Sequence, residues 1–107
     1  MTTAEVSRAA RAKIEQGWCV GTEARNSLYL SVPCDSPSAI RWCAFGAIKL
    51  VAPTQSNRHE IERALLNATG RGSDLTYVSE WNDSVAKSKE EVLAAFDRAI
   101  AAAEVGA

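Results

Sequence analysis

Apolar positions recur at helical spacing along most of the chain. Val6, Ala10, Ile14 and Trp18 fall every fourth residue, which lines them up on one face of a helix. Thr2-x-x-Glu5 ahead of them has the form of a capping box, and Gly17 marks a stop. Ile40, Cys43, Ala44, Ala47, Ile48 and Val51 repeat the pattern. Ser36 as N-cap and Pro37 as first helical residue predict where that helix starts, and Pro53 predicts where it ends. Trp42 and Phe45 widen its apolar face, so it is expected to be central. Asn57-x-x-Glu60 opens a third helix with a stripe of Ile61, Ala64, Leu65 and Ala68, closed by Gly70. Ser73 opens a shorter one carrying Leu75, Val78 and Trp81, broken by Asn82-Asp83. Ser88-x-x-Glu91 opens the last, with Val92, Phe96, Ala99, Ile100 and Ala103.

Between Cys19 and Asp35 the period changes. Leu28, Leu30 and Val32 alternate with Tyr29 and Ser31, which predicts a short extended segment. A lone strand is unstable, so this segment is either an extended loop on the helices or half of a small hairpin with residues 19–24. The fold class that follows is mainly α: one domain over residues 1–107, a compact bundle of about five helices, with one short extended segment or hairpin near residues 19–33.

Composition agrees with a globular chain. Of 107 residues, 47% are apolar and 23% charged, close to the average for folded domains. The net charge is -1, so there is no overall attraction to nucleic acid or an anionic membrane. Arg41, Arg58, His59, Arg63, Arg71 and Arg98 are interleaved with Glu60, Glu62, Asp74 and Asp97, the pattern of a solvated face. No apolar run reaches the roughly 20 residues of a membrane span. The first residues lack the basic start and apolar run of a secretory signal, so a cytoplasmic location is expected. An odd set of cysteines, Cys19, Cys34 and Cys43, is a poor disulfide framework and suits reduced thiols. Tetrahedral zinc would need all three plus His59, at spacings that match no known finger or ribbon. No metal and no cofactor are therefore expected.

Three local patterns resemble a known family. They are Gly17-Trp18, Cys43-Ala44-Phe45-Gly46-Ala47, and Trp81-Asn82-Asp83 followed by Ser88, Glu90-Glu91-Val92-Leu93 and Asp97-Arg98-Ala99-Ile100. Together they are similar to a family of small bacterial and phage proteins of unknown function that share C-x-x-G-A, W-N-D and a closing A-I helix. The resemblance implies a stand-alone domain and no particular activity. It is silent over Gly21 to Val32.

Candidate chemistry is sparse. Cys43, His59 and Asp83 supply the residue types of a thiol nucleophile, a base and an orienting carboxylate. A helix starting at Pro37 would put Cys43 in its second turn, beyond the strongest reach of the helix dipole, so a core cysteine is the expectation. Gly70-Arg71-Gly72-Ser73 lacks a P-loop lysine and reads as a stop followed by a start. Trp81-Asn82-Asp83 has two readings. Asparagine as a left-handed cap and aspartate as a turn residue account for it structurally. An amide and a carboxylate at the mouth of an aromatic-lined groove would instead fix a small polar ligand. If Cys43, Ala44 and Ile48 face the core, Trp42 points partly away and leaves an apolar patch. The leading expectation is a non-enzymatic interaction or accessory protein that works through a protein partner or a second copy of itself, a homodimer.

Overall fold

The computed structural model describes residues 2–105. Five helices follow one another: α1 (Thr3–Gln16), α2 (Ala44–Val51), α3 (Gln55–Ala68), α4 (Val78–Ser84) and α5 (Lys89–Val105). Three two-residue strands lie between α1 and α2: β1 (Ala24–Arg25), β2 (Ser31–Val32) and β3 (Arg41–Trp42). The sheet order is β2-β1-β3, antiparallel throughout, with Ala24 opposite both Val32 and Trp42. A mainly α fold with a small sheet results, as expected. A hairpin forms, but its first strand is residues 24–25, at the edge of the expected 19–24 stretch, and β3 is an addition that the helical pattern had hidden.

Helix α1 begins as its sequence dictates. Thr2 Oγ1 accepts from Glu5 N, and the Glu5 carboxylate accepts from Thr2 N. The stop of α3 also follows its residues. Gly70 has φ +78, the Gly70 amide donates to Asn67 O, and the Arg71 amide donates to Leu66 O. These two bonds are the Schellman closure that a left-handed glycine makes possible.

Four predicted boundaries are corrected. Ser36-Pro37 starts no helix. Ser36 Oγ accepts from Ser38 N, the Ala39 amide donates to Ser36 O, and the turn ends there. The chain then pairs with β1, and α2 begins only at Ala44 with Cys43 as its N-cap. Helix α3 starts earlier than Asn57. Thr54 Oγ1 accepts from Asn57 N, and the Glu60 carboxylate binds the Thr3 hydroxyl rather than closing a capping box. Ser73 sits in a turn braced by Arg71–Asp74, and α4 starts at Val78. Asn82 and Asp83 do not break α4, which runs on to Ser84. At α5, Ser88 Oγ accepts from Glu91 N as expected, but the Glu91 carboxylate reaches Lys87 N.

The core gathers one face from every helix. Val6, Ala10 and Ile14 of α1 lie with Ala47 and Ile48 of α2, Ile61, Leu65 and Leu66 of α3, and Val92 and Phe96 of α5. Helix α1 packs along both α5 and α2, and α3 packs on α5. Each large side chain that is fully buried contributes roughly 1.5–3 kcal/mol. Alanines at the helix contacts let the backbones approach closely. No described helix is long and apolar enough to cross a membrane.

Candidate functional site

The motifs singled out in the sequence converge on one side chain. Asn82 is fully buried. Its Oδ1 accepts from Trp18 Nε1 at 2.7 Å and from Ala44 N at 3.0 Å. Its Nδ2 donates to Cys19 O at 3.1 Å and to Asp83 Oδ1 at 3.0 Å. Asp83 Oδ1 also accepts from Gly21 N at 3.0 Å, where the chain turns at φ +84. One amide thus uses both donors and both lone pairs within the chain. It ties α4 to the loop after α1 and satisfies an orphan amide at the start of α2. Trp81 lies beside it, 4% exposed.

Trp42 is covered. It is 5% exposed, its indole N–H donates to Cys34 O at 3.0 Å, and Lys13 Nζ lies 5.0 Å from its ring centroid. The patch expected around Trp42 is filled by the chain itself, because β3 turns that side chain inward. Two glycines permit this close assembly. A Cβ on Gly46 would lie 2.1 Å from Glu23 O, and one on Gly17 would lie 2.3 Å from Ile40 O.

The three residues considered for thiol chemistry have separate settings. Cys43 is buried at the N-cap of α2, where Sγ accepts from Gly46 N at 3.2 Å. Burial pushes its thiol up to about 12. Asp83 is exposed and holds the Gly21 amide. His59 is exposed on α3, and among the described residues its side chain makes no hydrogen bond to either. Burial also raises Cys19, and burial with the neighbouring Glu23 pushes Cys34 up to about 11. Among the described residues no cluster of three or more His, Cys, Asp or Glu side chains is placed to hold a metal ion.

The feature that sequence reasoning missed is the hairpin tip. Leu28, Tyr29 and Leu30 are 76%, 51% and 58% exposed. The alternation of Leu28, Leu30 and Val32 predicts an extended segment, but only residues 31–32 are strand, and the turn between β1 and β2 leaves Leu28 and Leu30 exposed. Tyr29 has φ +63, a left-handed conformation that costs an aromatic residue about 1–2 kcal/mol. Asn26 fixes the turn: its Oδ1 accepts from Leu28 N and Leu30 N, each at 3.0 Å. Arg25 donates to Tyr29 O and Val20 O, and Arg41 donates to Asn26 O. Both guanidinium groups stand over the Tyr29 ring, at 4.8 and 5.1 Å from its centroid. Three adjacent large apolar residues directly after Asn26-Ser27 were the available signal.

A concavity of about 930 Å³ opens beside the start of α1 and the end of α5. Its floor is alanine, Ala64, Ala68, Ala99, Ala102 and Ala103, and an Arg8–Glu104 ion pair crosses its rim. Thr2, Thr3 and Asn67 complete its polar edge.

Fold and site together define a small mainly α domain with a stapled sheet and an exposed apolar hairpin. The chain belongs to the family described as Family of unknown function (DUF6197), which it matches over residues 1–102. The expected resemblance to a domain of unknown function is met at that level. No curated protein and no solved structure matches the chain.

Proposed function

We propose that the protein is a non-enzymatic interaction domain whose hairpin tip docks into an apolar, acid-rimmed cleft of a protein partner. The observation that carries this reading is the exposed Leu28-Tyr29-Leu30 triad, held with Tyr29 at φ +63 by Asn26 and two arginines. Soluble domains rarely display adjacent large apolar side chains without a use for them. Strain kept at an exposed residue costs stability, and sites of recognition are where such costs persist. A turn fixed before binding loses little entropy on docking. Leucine and tyrosine anchors fit an apolar pocket, and Arg25 and Arg41 behind them favour a rim of carboxylates. Three free, buried thiols suit a reducing cytoplasm, and the family resemblance suggests a bacterial or phage-infected cell.

The test is site-specific photocrosslinking in the native host, with the photoreactive residue at Leu28 and, as control, at Gln55, which is exposed on α3. A discrete heavier adduct is expected from position 28 alone. Leu30→Asp should abolish it with no change in melting temperature, because Leu30 lies outside the core. Absence of an adduct, or the same adducts from both positions, would overturn the proposal. An adduct of twice the chain mass would replace the partner with a second copy.

A further inference from the structure

We infer that Cys19 and Cys43 are a disulfide-forming pair: a small disulfide oxidant closes them into an intramolecular bridge that fastens the loop after α1 to the start of α2, while Cys34 stays reduced. The inference is independent of how the hairpin tip is used.

The pairing follows from the backbone. The Trp42 amide donates to Gly17 O at 3.0 Å, and the Cys19 amide donates to Trp42 O at 3.2 Å. These bonds make Trp18 and Trp42 a parallel bridge. One residue beyond each partner of this isolated bridge stand Cys19 and Cys43, and Cys43, the N-cap of α2, is still extended, at φ -79 and ψ 168. Paired strands run about 4.8 Å apart, inside the Cα separation of roughly 4.4–6.8 Å that a disulfide accepts. Successive side chains alternate in direction. The two tryptophans therefore share one face, and the two cysteines share the other. Cys34 is on the tryptophan side, since the Trp42 indole reaches its carbonyl. Neither sulfur of the pair is firmly held: Cys19 Sγ is 3.9 Å from Thr22 O, and Cys43 Sγ accepts one amide. Both residues are buried, which excludes bulky oxidants but not each other.

The chemistry balances as ordinary thiol–disulfide exchange. One thiolate attacks the oxidant, its S–S bond breaks, and a mixed disulfide forms as the first leaving thiol departs. The second thiolate then displaces the remaining oxidant half. The protein loses two protons and two electrons, and the oxidant is reduced to two thiols. Burial keeps both protein thiols protonated near neutral pH, so closure is slow there and faster in mild alkali.

The folded protein would be treated with 2,2′-dithiodipyridine at mildly alkaline pH, then mapped by non-reducing peptide mass spectrometry. The expected product is a monomer lighter by about 2 Da, with the Cys19 and Cys43 peptides joined and Cys34 alkylatable after denaturation. The bridge should raise the melting temperature, and dithiothreitol should reverse the gain. In urea, all three pairings should appear. A native-state bridge to Cys34, an intermolecular dimer as the main product, or stable separate adducts on Cys19 and Cys43 would each overturn the inference. The wild-type map decides the matter, so no variant has to fold for the test to work.

Discussion

Asn82 accepts two hydrogen bonds and donates two through a single side-chain amide, and every partner lies in the chain itself. Truncation would strand the Ala44 amide, the Cys19 carbonyl and the Trp18 indole N–H. A buried group left unpaired costs about 1–3 kcal/mol, so Asn82→Ala should lose about 3–4 kcal/mol in a denaturant titration. Full stability in that variant would reopen the ligand reading of this turn. Asn82→Asp keeps the acceptor and loses the donors, and it sets a second carboxylate beside Asp83. It should be unstable at neutral pH and partly recover on acidification, when the new acid can donate again.

Glu62 offers a residue-scale test of opposite sign. Burial raises its carboxyl above the ordinary 4.5, against the pull of His59 and Arg58. A carboxyl whose folded value is raised binds its proton more tightly in the folded chain. The stability it confers is present below about 4.5 and is lost as pH rises through the folded value. Glu62→Gln should therefore melt higher than the parent at about pH 7 and level with it at about pH 4. Thermal scans at those two values check the sign. Trp81-Asn82-Asp83 was visible in the sequence as distinctive, but its work was not. Asparagine and aspartate suit turns equally well, and the partners at residues 18, 19 and 44 are known only once the chain is folded.

At the scale of elements, the junction between the sheet and α2 is the most constrained contact. Gly46 lies in the first turn of α2, under the Glu23 carbonyl, and the Glu23 carbonyl also receives the Cys43 amide. Gly46→Ala would force strand and helix apart. Overpacking of this kind costs about 2–3 kcal/mol, in contrast to the small gain alanine normally brings to a helix interior. Chemical denaturation of Gly46→Ala beside Gly70→Ala would separate crowding from backbone effects. The Gly70 site has open space around it, so its cost is only that of the left-handed turn. The same junction explains why α2 was the helix most misread. Ile40 and Cys43 fit its period, and Ser36-Pro37 has the chemistry of a helix start. Ile40 is nevertheless 43% exposed, and Cys43 is a cap. Pairing with β1 prevailed over local propensity, and nothing within residues 36–43 announces a partner at residue 24. Helices α1 and α5 were legible because their caps and stripes are local.

At the scale of the whole molecule, the projecting hairpin tip and the concavity are built from different segments. The hairpin tip projects from the connection after α1, while the alanine-floored concavity opens where α1 begins and α5 ends. The helical class and the closing role of α5 could be read from period alone, because a face repeated over several turns is a strong signal. The tip could not, because alternation predicts an extended segment there, while the direction of these side chains is set by the turn at Asn26 and Tyr29.

The pairing of the first helix with the last has a consequence for synthesis. Translation delivers α1 before α5, so Val6, Ala10 and Ile14 are made while the α5 face that α1 packs against is still to come. The amide of Ala44 likewise meets its acceptor only when residue 82 has left the ribosome. Cooperative folding of the domain waits for α5, and until it has been made the earlier helices lack the face they pack against.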